Sequence, residues 1–199
     1  MQTLPSTAQT MLTTLMTRRS TKSLVAPGPQ VDQLTAAFKA ATYAPDHAAL
    51  RAWRFVTIAA PDVSAFAELA IGANQRAGLP MSDDKAASVR KWLSSVPLLI
   101  GMAHQIHHDH PKVPLLEQAL SMGAAVMNLQ NALHAMGFGS FWSTGLGTYT
   151  DEVPAKLGFD NLDYQFVGFL AVGTVKGEVA PAVKRPEPSE IVHAWVPNP

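Results

Sequence analysis

Arg18, Arg19, Ser20 and Lys22 stand within one five-residue stretch, RRSTK. Two forked guanidinium groups and a hydroxyl suit a phosphate monoester, and the nearby ammonium could hold a second anionic group. The competing reading is a solvated basic end to a helix, favoured by the helix dipole. A second cluster, APDHAALRAWRF over residues 44–55, presents His47, Arg51 and Trp53 behind a proline-fixed loop. It reads equally as a ligand rim or, for Trp53 and Phe55, as core. A third cluster gathers His104, His107, His108 and His110 in one segment. Four imidazoles suit a transition metal, but Asp109 is the one local carboxylate, so a mobile polar loop is the preferred reading and no metal is expected. Gly137, Gly139, Gly145 and Gly147 do not spell GxGxxG, and neither a P-loop nor a GxSxG elbow occurs. Nothing in the residues supplies a catalytic triad or an acid–base dyad.

These clusters need elements to hold them. Apolar spacing predicts helices over residues 7–16, 31–43, 61–78 and 82–95, the last with Ser82 as N-cap ahead of Asp83 and Asp84. Residues 54–60, 97–103, 138–145 and 164–175 read as strands, with a short helix near residues 153–157. A loop is expected over residues 104–114 and a long helix over about residues 114–136. The tail from residue 176, rich in proline, is expected to be extended. No repeat or linker divides the chain, so one domain spans residues 1–199. The element order is α/β-like, but the short spacings leave room for antiparallel pairs.

The chain has 199 residues with 15 Lys+Arg against 15 Asp+Glu, a balance that argues against nucleic acid. Charged residues make up 15%, well below the roughly 25% of an ordinary soluble domain. The deficit is local, because residues 118–150 contain no Asp, Glu, Lys or Arg. A transmembrane helix does not explain it: Gln118, Asn128, Gln130, Asn131 and His134 would each need a partner in lipid. Apolar or small residues on nearly every face instead describe a helix enclosed by protein, either by a partner subunit or by a monomer's own core. No cysteine is present and the first residues form no leader pattern, so a cytoplasmic protein is expected. Six cations against two acids in residues 1–54 give this neutral chain a local anion-binding character.

RRSTKSL followed by APDHAALRAWRF resembles the opening of the flavin-dependent nitroreductase family. HPKVPLLEQALSMGAAVMNLQNALHAMGFGSFWSTG is similar to that family's central helix and following strand, especially in its short, compact branch. VGFLAVGTV and then KRPEP resemble its last strand and C-terminal arm. The resemblance implies an α+β fold with a mixed central sheet flanked by helices, a homodimer with an extended arm, and FMN at the subunit interface. It implies that Arg18, Arg19 and Ser20 hold the phosphate and ribityl chain, with Lys184 and Arg185 as a basic pair that meets the phosphate. Lys22 would lie near the pyrimidine edge, where a cation favours the reduced ring. Tyr43 and His47 would border the flavin, and Trp142, Ser143 and Thr144 would reach the ring. Three positions depart from the pattern: Ala49 replaces the usual Asn, Arg51-Ala52 the usual Gln-Pro, and Ser143 an Arg frequent in the short branch. The implied activity passes hydride from NADH or NADPH to a nitroaromatic, quinone or related acceptor in two half-reactions. The cofactor carries the chemistry, so no catalytic side chain is required. The alternative is a flavin-binding carrier or sensor with little reductase activity.

Overall fold

The computed structural model describes residues 4–177 and 184–197. Strand β3 (Leu98–Gln105) is buried along nearly its whole length, as an unbroken apolar run in a central strand demands. It pairs with β2 (Trp53–Ala59) on one side and with β5 (Tyr164–Val175) on the other, both antiparallel. The far edge of β5 is shared between β4 (Gly139–Ser143) and the two-residue β1 (Leu24–Val25), again antiparallel. Among the described residues the parallel component is a single bridge, Ser20 to Ser140, which carries the basic segment across the edge of β4.

Side chains alternate across this sheet and so build two cores. Leu99, Phe169 and Ala171 face α3 (Asp62–Arg76) and α4 (Asp83–Leu93), meeting Phe66, Ala70, Val89 and Leu93. Leu98, Ile100, Met102, Leu170 and Val172 face α2 (Val31–Ala41) and α5 (Leu115–Ala135), meeting Ala37, Met122, Val126, Leu129 and Leu133. The α+β expectation therefore stands as a sheet between two helical layers. Ser82 does cap α4, its hydroxyl accepting from the Lys85 N–H.

Several elements differ from expectation. His104 and Gln105 belong to β3 rather than to the loop, because the ladder continues through Trp53 and Gln165. The tail contains a short helix, Pro188–Ile191, closed by a reciprocal capping box between Glu187 and Glu190. The histidine loop is organised rather than loose. Gln118 bonds the His107 backbone through both ends of its amide, and the His110 ring accepts from the Val113 N–H.

Within the chain α5 is only partly enclosed. Gln118, Met122, Val126, Leu129 and Leu133 are buried, but Leu116 and Leu120 are 69% and 63% exposed. Helix α1 (Ser6–Thr17) buries nothing and leaves Met11, Leu12, Leu15 and Met16 exposed. The monomer's own core does not cover these faces.

Candidate functional site

The site starts where α1 ends. The Arg18 N–H closes the last turn of α1 on the Thr14 carbonyl, and the Thr21 N–H then bonds the Ser140 carbonyl of β4. The intervening residues are thereby pinned between α1, the C-terminal end of α5 and the start of β4. Thr17 adds a hydrogen bond to the His134 ring at 3.0 Å, joining α1 to α5.

The two arginines differ in what they have left to give. Arg19 donates from Nη1 to the Met16 and Arg18 carbonyls, so it serves in part as the cation of a helix C-terminus. Arg18 carries a buried Nη1 with no hydrogen-bond partner. Burial, then the charges of Arg185 and Arg19, press its pKa below the ordinary guanidinium value. Arg185 thus acts on the same region from the C-terminal segment, where it and Lys184 are both exposed. His134 is held below its ordinary value by burial and then by Arg18 and Arg19. Three guanidiniums and an imidazole therefore share one locality, with a buried donor unspent. That arrangement fits a doubly charged anion, since an unpaired buried charge is costly and a phosphate would pair several donors together. A cavity of about 460 Å³ opens beside it, lined by Thr17, Arg19, Thr21, His134 and Phe138.

Farther along β4 the surface changes from cationic to aromatic. Lys22 is exposed, and its ammonium lies 4.8 Å from the Phe141 ring centre and 5.1 Å from that of Trp92. Such contacts orient a lysine without neutralising it. Lys22, Ser143 and Gly145 together line a second cavity against α4. Ser143 stands three residues past Ser140, the neighbour of Ser20, so the two regions are about 10 Å apart along the strand. A ligand with an anion at one end and a flat group at the other spans that distance.

Strand alternation separates the remaining β4 residues. Ser143 faces the α4 side, whereas Trp142 packs into the α2–α5 core and donates its indole N–H to the Val167 carbonyl. Thr144 is exposed just past the strand end. Tyr43 and His47 lie elsewhere. Tyr43 is exposed just past α2, and His47 pairs at 2.6 Å with Glu117 near the start of α5. Glu117 is about 25 Å along that helix from His134, so one chain does not bring Tyr43 and His47 to the arginines.

The loop carrying His47 has an unusual backbone. Ala48, Ala49 and Arg51 all take positive φ, at 59°, 53° and 50°. Asp46 holds the turn by accepting from the Arg51 N–H, and Arg54 reaches back to the Arg51 carbonyl. Residues that adopt this region without glycine's freedom are over-determined by their surroundings. Trp53 and Phe55 pack against the core as partly buried residues: Trp53 bonds Ser121, and the Phe55 ring lies tilted against Phe38, centres 5.2 Å apart.

The histidines of the third cluster also separate. His104 is fully buried in β3, and both its ring nitrogens lack partners. Among the described residues no group of three or more His, Cys, Asp or Glu side chains is placed to hold a metal ion. His134 is the functional candidate that sequence reasoning missed. Its signal was its position, an imidazole in a stretch otherwise without charge, one helix turn before the Gly137 break.

Comparisons with known proteins agree on one family. A model described as the nitroreductase family matches residues 15–174. A protein of Escherichia coli (strain K12) named "Putative NAD(P)H nitroreductase YdjA" is 34% identical over 179 residues, covering 89% of this chain and 95% of its own. One from Haemophilus influenzae, "Putative NAD(P)H nitroreductase", is 35% identical over 134 residues, covering 67% and 72%. Among solved structures, a nitroreductase-like family protein from Bacillus cereus superposes with a TM-score of 0.76 at 17% identity, covering 98% of each chain. The FMN-dependent nitroreductase NfnB of Mycobacterium smegmatis, in complex with NADPH, gives 0.73 at 18%, covering 96% of this chain and 100% of its own. At these identities the structural likeness speaks for the fold.

Proposed function

Because the chain belongs to the nitroreductase family, whose members are oxidoreductases, we propose that it binds FMN and uses NAD(P)H to reduce nitroaromatic, quinone or related electrophilic acceptors. The observation that carries this reading is the unspent Arg18 donor among three guanidiniums, in the segment that meets β4 at Ser140, with Lys22 and Ser143 lining a cavity about 10 Å farther along that strand. Relatives named as NAD(P)H nitroreductases and a neighbour named as FMN-dependent support it.

FMN, when bound, would supply two-electron chemistry between the dinucleotide and the acceptor. Arg18 and Arg185 take the phosphate, Arg19 adds charge from the end of α1, and Ser20 offers its hydroxyl beside β4. Lys22 provides positive charge where reduction adds negative charge to the ring. Ser143 and Thr144 would hold the ring from the end of β4, and Trp142 fixes that strand end from the core side.

A homodimer completes the site. The exposed apolar faces of α1 and α5, and Ile191, Val192, Trp195 and Val196 of the C-terminal segment, are the surfaces it would bury. Pairing two copies along α5 would bring the Tyr43–His47 loop of one copy toward the arginines of the other, which a single chain does not do. The reading places the protein in the cytoplasm, where its dinucleotide donor is found. No helix among the described residues is long and apolar enough to cross a membrane.

Steady-state assays test the reading. Protein loaded with FMN is expected to oxidise NADPH or NADH in proportion to added nitroaromatic or quinone, with parallel double-reciprocal lines. Flavin uptake without dinucleotide oxidation would replace the reductase by a carrier or sensor.

A further inference from the structure

The cavity between α4 and the end of β4 has a wall that the FMN reading leaves unused. One face of α4 carries Lys85, Ser88, Val89 and Trp92, at i, i+3, i+4 and i+7, and all four line it. Val89 is buried and Trp92 packs against the core, whereas Lys85 and Ser88 are exposed, so the face runs from an apolar wall to a polar rim. Leu146 closes the apolar floor, and Lys22 enters from the opposite side. The cavity holds about 180 Å³.

Its charge is one-signed. Lys22 and Lys85 are both ammonium groups, and among the described residues neither pairs with a carboxylate. Asp83 and Asp84 precede Lys85 on the first turn, but neither lines the cavity, and Asp83 acts on Arg90. Glu68 on the neighbouring helix is committed to Arg90 at 2.6 Å. The Trp92 indole N–H is buried without an acceptor. An aromatic floor, two unpaired cations and spare donor capacity select a flat ring bearing an anion.

We infer that this cavity admits an aromatic electron acceptor carrying a carboxylate, and that Lys85 is the residue selecting for it. Lys22, Ser143 and Gly145 are common to this cavity and to the proposed ring-binding region, so bound flavin would take that side and the acceptor would lie between it and α4, with its carboxylate toward Lys85. The acceptor role rests on the proposed FMN function; the preference for a carboxylate does not.

Calorimetric titration without NAD(P)H tests it, using FMN-loaded protein with 4-nitrobenzoate and with its neutral analogue 4-nitrobenzamide. The benzoate is expected to bind about tenfold more tightly, the effect of one charged partner at a partly exposed site. Lys85→Met is expected to abolish that preference and Lys85→Arg to keep it, with thermal melts of both variants matching the parent. Equal affinities in the parent, or a preference that survives Lys85→Met, would overturn the assignment. So would a Lys85→Met effect confined to the KM for NADPH, which would give the cavity to the donor. If the titrations behave as expected but neither compound is reduced, the carboxylate site stands and the reductase reading fails.

Discussion

Replacing Arg18 by Met separates a ligand-binding arginine from a structural one. Its buried Nη1 has no partner, and Arg185 and Arg19 add repulsion, so the group spends little on holding the fold together. Met keeps the stem's packing and removes the charge. A hydrogen bond to a charged group is worth about 1.5–3 kcal/mol. At 1.4 kcal/mol per decade, the FMN dissociation constant should rise roughly 10- to 100-fold. Riboflavin, which lacks the phosphate, should bind the variant as it binds the parent. The flavin-free variant should melt at the parent's temperature or above, because an unpaired, half-desolvated cation has been removed. Flavin fluorescence quenching gives both affinities, and a melt by circular dichroism gives the stability. Equal losses for FMN and riboflavin, or a drop in melting temperature without flavin, would show that Arg18 is structural and refute the phosphate assignment.

Three further outcomes follow from other parts of the molecule. His104 and His134 are both held below the ordinary histidine value, chiefly by burial, so the unfolded chain takes up protons that the folded one resists. Stability should therefore be full above about pH 6.5 and fall below it. His104→Met should lessen that acid-side loss in melts compared at about pH 7.5 and about pH 5.5, and a variant with the full loss would refute it. Gly139→Ala should destabilise by about 1–3 kcal/mol, since the new Cβ would sit 2.6 Å from Val175 Cγ2 and 2.9 Å from Leu24 Cδ2. Each kcal/mol should lower the melting temperature by about 2–4 °C. Leu120→Glu, on the exposed stripe of α5, should shift sedimentation from twice the 21.3 kDa chain mass to that mass and weaken FMN binding with it. A variant that stays dimeric would move the interface elsewhere.

Much of the fold was legible because its signals are local. The strand at residues 164–175 matches β5 at both ends, and the Ser82 cap and the apolar run of β3 mark their own elements. What was hidden depends on partners distant in sequence. β1 is two residues long and exists through β5, and His104 is in a strand because Trp53 and Gln165 continue the ladder around it. The site divides along the same line. RRSTK showed its cations in sequence, but only the fold distinguishes Arg19, spent on the end of α1, from Arg18 with a donor in reserve. Trp142 and Ser143 are adjacent in sequence and face opposite layers, as strand geometry requires. Lys85 and Trp92 gave no sign as a pair, since an amphipathic surface helix carries both routinely. Their meeting with Lys22 depends on the packing of α4 over β4.

Anaerobic titration of purified, FMN-loaded protein with NADPH decides whether the basic segment and β4 hold a redox-active FMN. The visible flavin absorption should bleach in proportion to added NADPH, reach completion at one equivalent per bound flavin, and return on adding a nitroaromatic or a quinone. A protein that takes up no FMN, or whose bound flavin keeps its spectrum under excess NADPH and excess NADH, would contradict the account.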